Sequence, residues 1–253
     1  MPNHILPEEN ISSKSLRKKS LIAFLILLAF LATAWYIFNY IKKQPEVAGT
    51  ARPLRKALNL NEKVFSSLFD STKLVKEYPI SEAAKKVRVN GKDGLSDNIN
   101  GQSWRLKVVR NIGDTFSVSL DEIKKLPKKE IVFDFKCIEG WSQVSHWAGV
   151  PLKTFIEHYN LHPQSKMKYI GLQTPDKGYY VGIDMPSALH QQTLLCYEMN
   201  GKTLPLNQGY PLRLIIPVKY GIKHLKRIGT MFFSNEKPPD FWAERGYDYY
   251  AGH

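Results

Sequence analysis

The sequence contains few cysteines and comparatively few acidic residues. Two cysteines occur among 253 residues, which excludes a disulfide framework, although Cys137 and Cys196 could form a single bridge. Asp and Glu number 23 against 36 Lys and Arg, which gives a net charge of +13. Such a balance suits a nucleic acid, an anionic lipid surface or an anionic ligand. No nucleic-acid-binding module is recognisable, so we expect an anionic cofactor and a lipid surface and no nucleic acid.

Several familiar chemical signatures are also missing from the sequence. The seven histidines show no zinc-ligand spacing, and neither a Walker loop nor a dinucleotide-binding loop is present. Cys137 and His146 leave open a thiol-based enzyme, but no other feature of the sequence favours one. The function of the chain is therefore not indicated by a zinc, nucleotide or dinucleotide motif.

One long hydrophobic run stands out, at residues 21–41, where 21 residues carry no charge. At 1.5 Å per residue a helix of this length spans about 30 Å, the thickness of a bilayer core. Trp35, Tyr36 and Tyr40 lie at its far end, as in an interfacial aromatic belt. A cleaved signal peptide is the alternative. We predict a transmembrane anchor at 21–41, a disordered tail at 1–20, a linker with a helical piece at 42–78 and a globular domain at 79–253.

The most informative stretch of the domain surrounds Cys137. A β-rich run at 131–135 brings this cysteine to the start of a loop, and Pro151 then opens a helix. The apolar side chains of that helix recur at i, i+3, i+4 and i+7, namely Leu152, Phe155, Ile156 and Tyr159. A cysteine at a strand end is either a small buried hydrophobe or a sulfur held rigidly in a cleft.

Short strands dominate the rest of the domain. Alternating apolar residues and turn signals predict strands near 87–91, 104–109, 116–120, 169–174, 179–183 and 194–199. A short helix is predicted at 120–126, and Asn200-Gly201 is a strong hairpin signal. Many strands with few helices indicate a β-rich α+β domain.

Several separated motifs, taken in their order along the chain, resemble the molybdopterin-binding oxidoreductase domain of the sulfite oxidase family. The first is Phe-x-Cys137-x-Glu-Gly-Trp-Ser, followed by Trp147-x-Gly-Val-Pro-Leu. The others lie at 194–205, 209–217 and 220–226. The resemblance covers the chain from about Pro79 to its end, and it is greatest to the branch of bacterial periplasmic protein-methionine-sulfoxide reductases. It implies a mixed α+β fold of the sulfite oxidase type.

The resemblance also implies a set of cofactor-binding residues. The Cys137 thiolate is expected to ligate molybdenum, for which a soft ligand is suitable. Gln208 lies where relatives carry Asn or His, and Arg213 with Lys223 and Lys226 would supply cations for the pterin phosphate. The full set expected to bind the molybdenum–molybdopterin cofactor is Arg88, Asn90, Cys137, Thr174, Gln208, Arg213, Lys223, His224, Leu225 and Lys226.

The function implied by the resemblance is two-electron oxygen-atom transfer by a membrane-anchored molybdenum oxidoreductase. We expect a sulfoxide substrate, electrons from a membrane haem protein, and a single-pass protein of the bacterial cytoplasmic membrane with its domain in the periplasm. Sulfite oxidation is the alternative reaction, and a cofactor-less binding module is the alternative of another class. Trp141, Trp147 and Tyr220 are candidates for an apolar substrate wall, or else for core packing.

Overall fold

A computed structural model describes residues 12–95 and 99–253. Its first element, α1 (Ser13–Lys42), is a helix of 30 residues without a single buried side chain, and it is long and apolar enough to cross a membrane. The helix starts before Leu21 because the preceding Ser, Lys, Leu and Arg residues contain no helix breaker. Residues 13–20 of the tail predicted to be disordered are therefore helical, and residues 1–11 of that tail lie outside the described residues.

The segment predicted as a linker is partly ordered against the domain. A hairpin of β1 (Glu46–Val47) and β2 (Thr50–Ala51) leads into the helix α2 (Arg52–Leu68). Further on, the Tyr78 N–H donates to the Val132 carbonyl over 2.9 Å. The chain thus joins the domain before Pro79. No strand forms at 87–91, where the backbone bonds to side chains such as Gln143 and Gln208 instead of a neighbouring strand, and the segment lines a cavity.

The domain contains ten further strands and four further helices among the described residues. The strands are β3 (Arg105–Asn111), β4 (Asp114–Ser119), β5 (Lys129–Lys136), β6 (Ser142–Pro151), β7 (Tyr169–Gln173), β8 (Tyr180–Asp184), β9 (Leu194–Met199), β10 (Lys202–Thr203), β11 (Arg213–Ile215) and β12 (Thr230–Ser234). The helices are α3 (Leu120–Lys124), α4 (Leu152–His158), α5 (His162–Ser165) and α6 (Met185–Ala188).

Two five-stranded sheets form the body of the domain. One has the order β4-β3-β12-β7-β8; the other has the order β10-β9-β6-β5, with β11 also paired to β9. The larger apolar cluster joins the two sheets and includes Phe155 and Ile156 of α4. A second cluster, which contains Phe133 and Trp147, covers the other face of the β5–β6–β9 sheet. This sheet is therefore buried on both faces.

Burial on both faces explains why β6 was not predicted. Residues 145–150 are all buried, so the strand has no alternation of apolar and polar side chains. Its polar members are satisfied inside the fold; for example, the Trp147 indole N–H donates to Ser145 Oγ over 2.8 Å. The predicted loop after Cys137 is consequently only a short turn, followed by a ten-residue strand.

Gly149 allows β6 to pass closely over β9, and its replacement by Ala should destabilise the fold. A Cβ at this position would lie 2.1 Å from the Leu195 carbonyl oxygen, at a register shift between the two strands. We expect Gly149→Ala to lower the free energy of unfolding by about 1–3 kcal/mol. The measurement is denaturant unfolding of the full chain in detergent. Lys129, which pairs with Gly149 from β5, is the control, and Lys129→Ala should change stability by less than about 0.5 kcal/mol. Equal effects of the two variants would contradict this packing argument.

Candidate cofactor site

The β5–β6 pair holds Cys137 in a tight turn. The Cys137 N–H donates to the Trp141 carbonyl over 2.9 Å, and the Gly140 N–H donates to the Cys137 carbonyl over 3.1 Å. Gly140 has a φ of +87°, a conformation that a residue without a Cβ adopts readily. Eight paired residues on each strand fix this turn to the sheet. The position of the cysteine is therefore set by backbone hydrogen bonds.

The Cys137 side chain lines a cavity of about 310 Å³, which we call the cysteine cavity. Three aromatic residues, Tyr179, Trp242 and Tyr247, form part of its wall. Its acidic lining residues are Asp93 and Glu139. The Tyr179 hydroxyl donates to the Ile222 carbonyl over 2.6 Å, so this ring is fixed in place.

A second, smaller cavity of about 40 Å³ adjoins the first. It is lined by Arg88, Trp141, Trp147, Gln208 and Arg213 among others, and we call it the arginine cavity. The two cavities share four lining residues, Asn90, Gly221, His224 and Lys226. A ligand with one end at the cysteine and the other at the arginine would therefore pass these four residues.

The Cys137 sulfur has a polar neighbour in this position. The Asn90 side-chain amide donates to Cys137 Sγ over 3.1 Å. Burial raises the pKa of the Cys137 thiol, while the hydrogen bond from Asn90 and the charge of Arg88 act in the opposite direction. A thiol binds a metal as the thiolate, so metal coordination would supply the free energy that deprotonation requires.

Arg213 is a buried cation that has no carboxylate partner among residues 12–95 and 99–253. Its Nη1 donates to the backbone carbonyl and to Oε1 of Gln208, over 3.1 and 2.9 Å, and its guanidinium lies 4.6 Å from the centre of the Trp147 ring. Within the described residues Nε has no hydrogen-bond partner. Burial lowers the pKa of Arg213 to about 10. A buried arginine without a counter-ion indicates a site for an anion.

Lys226 is a second cation beside the cavities; it is half-buried, and within the described residues it forms no ion pair with a carboxylate. Its ammonium donates to the carbonyls of Asn90 and Gly91, the latter over 2.9 Å. Burial and the nearby Arg213 charge lower the pKa of Lys226 to about 7, and Asp93 offsets only part of this. An anionic group bound between Lys226 and Arg213 would raise this pKa again and stabilise both cations. The residues present therefore fit a phosphate-bearing cofactor.

Gln208 and Arg88 complete the rim of the arginine cavity. The Gln208 side-chain amide donates to the Arg88 carbonyl over 3.2 Å, while its oxygen accepts from Arg213. The Arg88 guanidinium lies 4.4 Å from the centre of the Trp141 ring. Gln208 thus joins the 87–91 segment to Arg213, and both predicted residues lie in the cavity lining.

His224 lies in the lining of both cavities but is held as a neutral ring. The Ile216 N–H approaches its Nδ1 over 3.4 Å, and Nε2 lies 3.1 Å from the Lys219 carbonyl, which fits a proton on Nε2. Burial, followed by the charge of Arg213, lowers the pKa of His224 to about 3. Its ring therefore supports the backbone and is unsuited to proton transfer near neutral pH.

Three predicted cofactor residues have side chains outside the lining of these two cavities. Lys223 forms a buried ion pair with Asp240 and donates to the Gly182 carbonyl over 3.0 Å. Leu225 belongs to the main core. The Thr174 hydroxyl donates to Asp176 over 2.6 Å. Neighbouring carboxylates and the core thus engage these three side chains, and the contacts of Lys223, Leu225 and Thr174 with the cofactor, which for Leu225 are expected through the backbone, stay a prediction.

The three aromatic candidates for a substrate wall or for core packing lie outside the lining of the cysteine cavity. Trp141 and Trp147 line the arginine cavity, and the Tyr220 ring packs 4.9 Å from His253, centre to centre. Trp242 and Tyr247 line the cysteine cavity in their place. The sequence offered no signal for them, because they lie about a hundred residues after Cys137 and outside every motif.

Arg55 of α2 holds the segment that carries this wall. Its guanidinium donates to the carbonyls of Ala243 and Tyr247, over 2.7 and 3.0 Å. It also donates to those of Ala48 and Val47 in the β1–β2 hairpin, over 2.6 and 3.4 Å. One side chain therefore joins the N-terminal hairpin to the wall of the cysteine cavity.

These features define an oxidoreductase site for a large anionic cofactor, with one thiolate available to a metal. Residues 93–242, more than half of the chain, match the family described as the oxidoreductase molybdopterin binding domain. The chain belongs to this family and is a molybdopterin-dependent oxidoreductase of the sulfite oxidase type. The expected class of enzyme and its molybdenum cofactor are thus confirmed.

Two relatives have informative names. A protein of Azospira oryzae, provisionally named protein-methionine-sulfoxide reductase subunit YedZ1, is 35% identical over 187 residues, which are 73% of this chain and 70% of that protein. The protein-methionine-sulfoxide reductase catalytic subunit MsrP of Campylobacter jejuni is 33% identical over 176 residues, which are 62% of this chain and 59% of that one.

A solved structure, the sulfane dehydrogenase SoxCD of Paracoccus pantotrophus, aligns with a TM-score of 0.49 at 16% identity. The alignment covers 56% of this chain and 41% of that chain. The assignment to the family rests on the match of residues 93–242 and on the two named relatives.

Loss of the Arg55 guanidinium should loosen the cavity wall. We expect Arg55→Gln to increase amide hydrogen exchange at 243–247, because hydrogen bonds to a charged donor contribute about 1.5–3 kcal/mol each. Hydrogen–deuterium exchange with mass spectrometry on the full chain in detergent measures this. Arg52→Gln, on the same helix but exposed, is the control and should leave the segment unchanged. Exchange at 243–247 that is identical in both variants would contradict the role given to Arg55.

Replacement of Arg213 should separate cofactor retention from stability. In Arg213→Met we expect cofactor content to fall about tenfold or more. The stability of cofactor-free protein should change by less than about 2 kcal/mol, because removal of an uncompensated charge offsets the lost hydrogen bonds. Metal analysis and thermal unfolding measure the two quantities, with the exposed Arg105→Met as the control. Full cofactor content in Arg213→Met would show that this cation does not hold the phosphate.

Proposed function

We propose that this chain is the catalytic part of a membrane-anchored enzyme that reduces a neutral sulfoxide, such as a methionine sulfoxide residue of a protein. The observation that carries this proposal is the cysteine cavity, in which one sulfur faces an aromatic and acidic pocket beside Lys226 and close to the buried Arg213, whose Nε has no partner among the described residues. The names of the two relatives, both sulfoxide reductase subunits, support the same substrate class.

The roles of the chain's own residues follow from the geometry. When bound, the molybdenum cofactor supplies two-electron oxygen-atom transfer. Cys137 would provide the protein ligand to the metal, and Arg213 and Lys226 would neutralise the phosphate. Asn90 holds the sulfur in place through its hydrogen bond of 3.1 Å. Tyr179, held by the Ile222 carbonyl, keeps one wall of the cavity rigid.

The charges of the cysteine cavity favour a sulfoxide over sulfite. Asp93 and Glu139 place two carboxylates in its lining, and the phosphate of the bound cofactor would already engage Lys226. A sulfite dianion would be repelled here and would desolvate at a high cost. A neutral sulfoxide with an apolar side chain can instead pack on Trp242 and Tyr247.

Reduction of a sulfoxide needs two electrons and two protons, and it releases a thioether and water. Glu139, whose carboxylate accepts a hydrogen bond of 3.0 Å from the Trp141 indole, lies beside the cysteine and is placed to pass on protons. For the electrons we propose a haem-containing membrane protein. The relatives' names describe both of them as subunits, which supports a partner protein.

The proposed location is the bacterial cytoplasmic membrane, with α1 as a single span and the domain in the periplasm. The length and apolar composition of α1 support the anchor. The absence of any buried side chain in α1 gives the same indication, since an apolar helix in water would instead bury one face.

The decisive experiment compares two reactions of the molybdenum-loaded full chain with dye electron carriers. We expect methionine sulfoxide reduction to exceed sulfite oxidation, and Cys137→Ala to lower the reductase rate at least about 100-fold because the metal loses its protein ligand. Cys196→Ala is the matched control and should stay active, since this buried cysteine lies in the sheet and burial raises the pKa of its thiol to about 12. Faster sulfite oxidation, or full activity of Cys137→Ala, would refute the proposal.

A further inference from the structure

The helix α2 carries three separate stripes of side chains. At about 100° per residue, Arg55, Leu58 and Glu62 lie on one side. This side faces the domain: Arg55 is buried, and Glu62 accepts a hydrogen bond of 2.6 Å from Lys237. The orientation of α2 is therefore fixed by the folded domain.

The second stripe is apolar and exposed. Its large members are Leu54, Leu60, Val64, Phe65 and Leu68, of which Leu60 is 60% and Leu68 73% exposed. Ala57 continues the same stripe and is also exposed. No described residue of the domain covers it. An apolar surface of five large side chains on one helix indicates a further binding partner.

The third stripe is basic. Arg52, Lys56 and Lys63 lie along it, and all three are exposed. Exposed Lys42 and Lys43, at the end of α1, add two more positive charges only a short hairpin away. Cations beside an exposed apolar face are typical of helices that lie in the headgroup region of anionic membranes.

The position of α2 in the chain, shortly after α1, identifies a membrane as the surface that it contacts. Nine residues separate the end of α1 from the start of α2, so a bilayer crossed by α1 lies within reach of α2. We propose that α2 lies flat on an anionic lipid surface, with its apolar stripe among the acyl chains and its basic stripe at the phosphates. The proposal rests on the membrane anchoring by α1 proposed above, and it adds a second, interfacial contact.

The test uses nitroxide labels on the full chain in lipid nanodiscs. Single cysteines are introduced as Leu60→Cys in the apolar stripe, Asn59→Cys on the polar side and Ala29→Cys in the middle of α1. Cys196 is buried in the sheet and should not take up the label, and in the molybdenum-loaded chain the Cys137 sulfur would be held by the metal. Power saturation then compares collisions with oxygen, which concentrates in lipid, and with a water-soluble nickel chelate.

In nanodiscs that contain phosphatidylglycerol we expect the labels at positions 29 and 60 to collide mainly with oxygen. The label at position 59 should collide mainly with the nickel chelate. The double variant Lys56→Glu, Lys63→Glu should shift position 60 towards nickel, because the attraction to the phosphates is lost. The same shift is expected in nanodiscs of phosphatidylcholine alone.

The controls separate this proposal from those it rests on. A label at 60 that is as accessible to nickel as the label at 59, while 29 remains in lipid, overturns the interfacial helix but leaves the anchor intact. A label at 29 in water overturns both. Protection of position 60 only after addition of a haem partner would assign the apolar stripe to a protein and so overturn the lipid proposal. The dye-linked reductase rate in detergent is measured separately and does not depend on any of these results.

Discussion

The constraint on which the site depends is the placement of positive charge in the interior. Lys219 and Lys223 are both buried, and each has a carboxylate, Asp184 and Asp240 respectively. Arg213 donates instead to neutral oxygens and keeps one N–H without a partner in the described part of the chain. The charges of these two buried lysines are thus neutralised by carboxylates of the same domain, whereas the cations beside the cavities require a ligand. The site therefore suits an anion that the described part of the polypeptide does not provide.

Local sequence signals were sufficient to predict the secondary structure of much of the domain. The alternation near Trp104 and the turn at Asn200-Gly201 correspond to β3 and to the β9–β10 hairpin. The helix α4 begins at Leu152, directly after Pro151, where the sequence predicted a helix start. The motif around Cys137 likewise led to the sulfur, because a rigid strand end and a polar, glycine-containing continuation occur together there. Such features need no knowledge of distant parts of the chain.

Features that depend on tertiary contacts could not be predicted in the same way. The interior strand β6 lacks periodicity because both of its faces are buried, and the segment 87–91 has strand-like composition but no partner strand. The acidic lining by Asp93 and the aromatic wall by Trp242 arise where segments far apart in sequence meet. Lys223 illustrates the same limit, because only the fold reveals that Asp240 already pairs with it.

The most informative contact outside the motifs is that of Arg55. Its guanidinium bonds two carbonyls of the hairpin and two of the segment 243–247, so the two segments cannot move apart without leaving a buried charge unsatisfied. Gly49 packs so closely against Arg245 that a Cβ would lie 2.6 Å from its backbone, which ties the same two segments sterically. Tyr247 is thus both a wall of the cysteine cavity and an acceptor for α2. It follows that the surface on which α2 rests would set the direction in which the cavity faces, and the proposed lipid contact would orient the catalytic sulfur relative to the membrane.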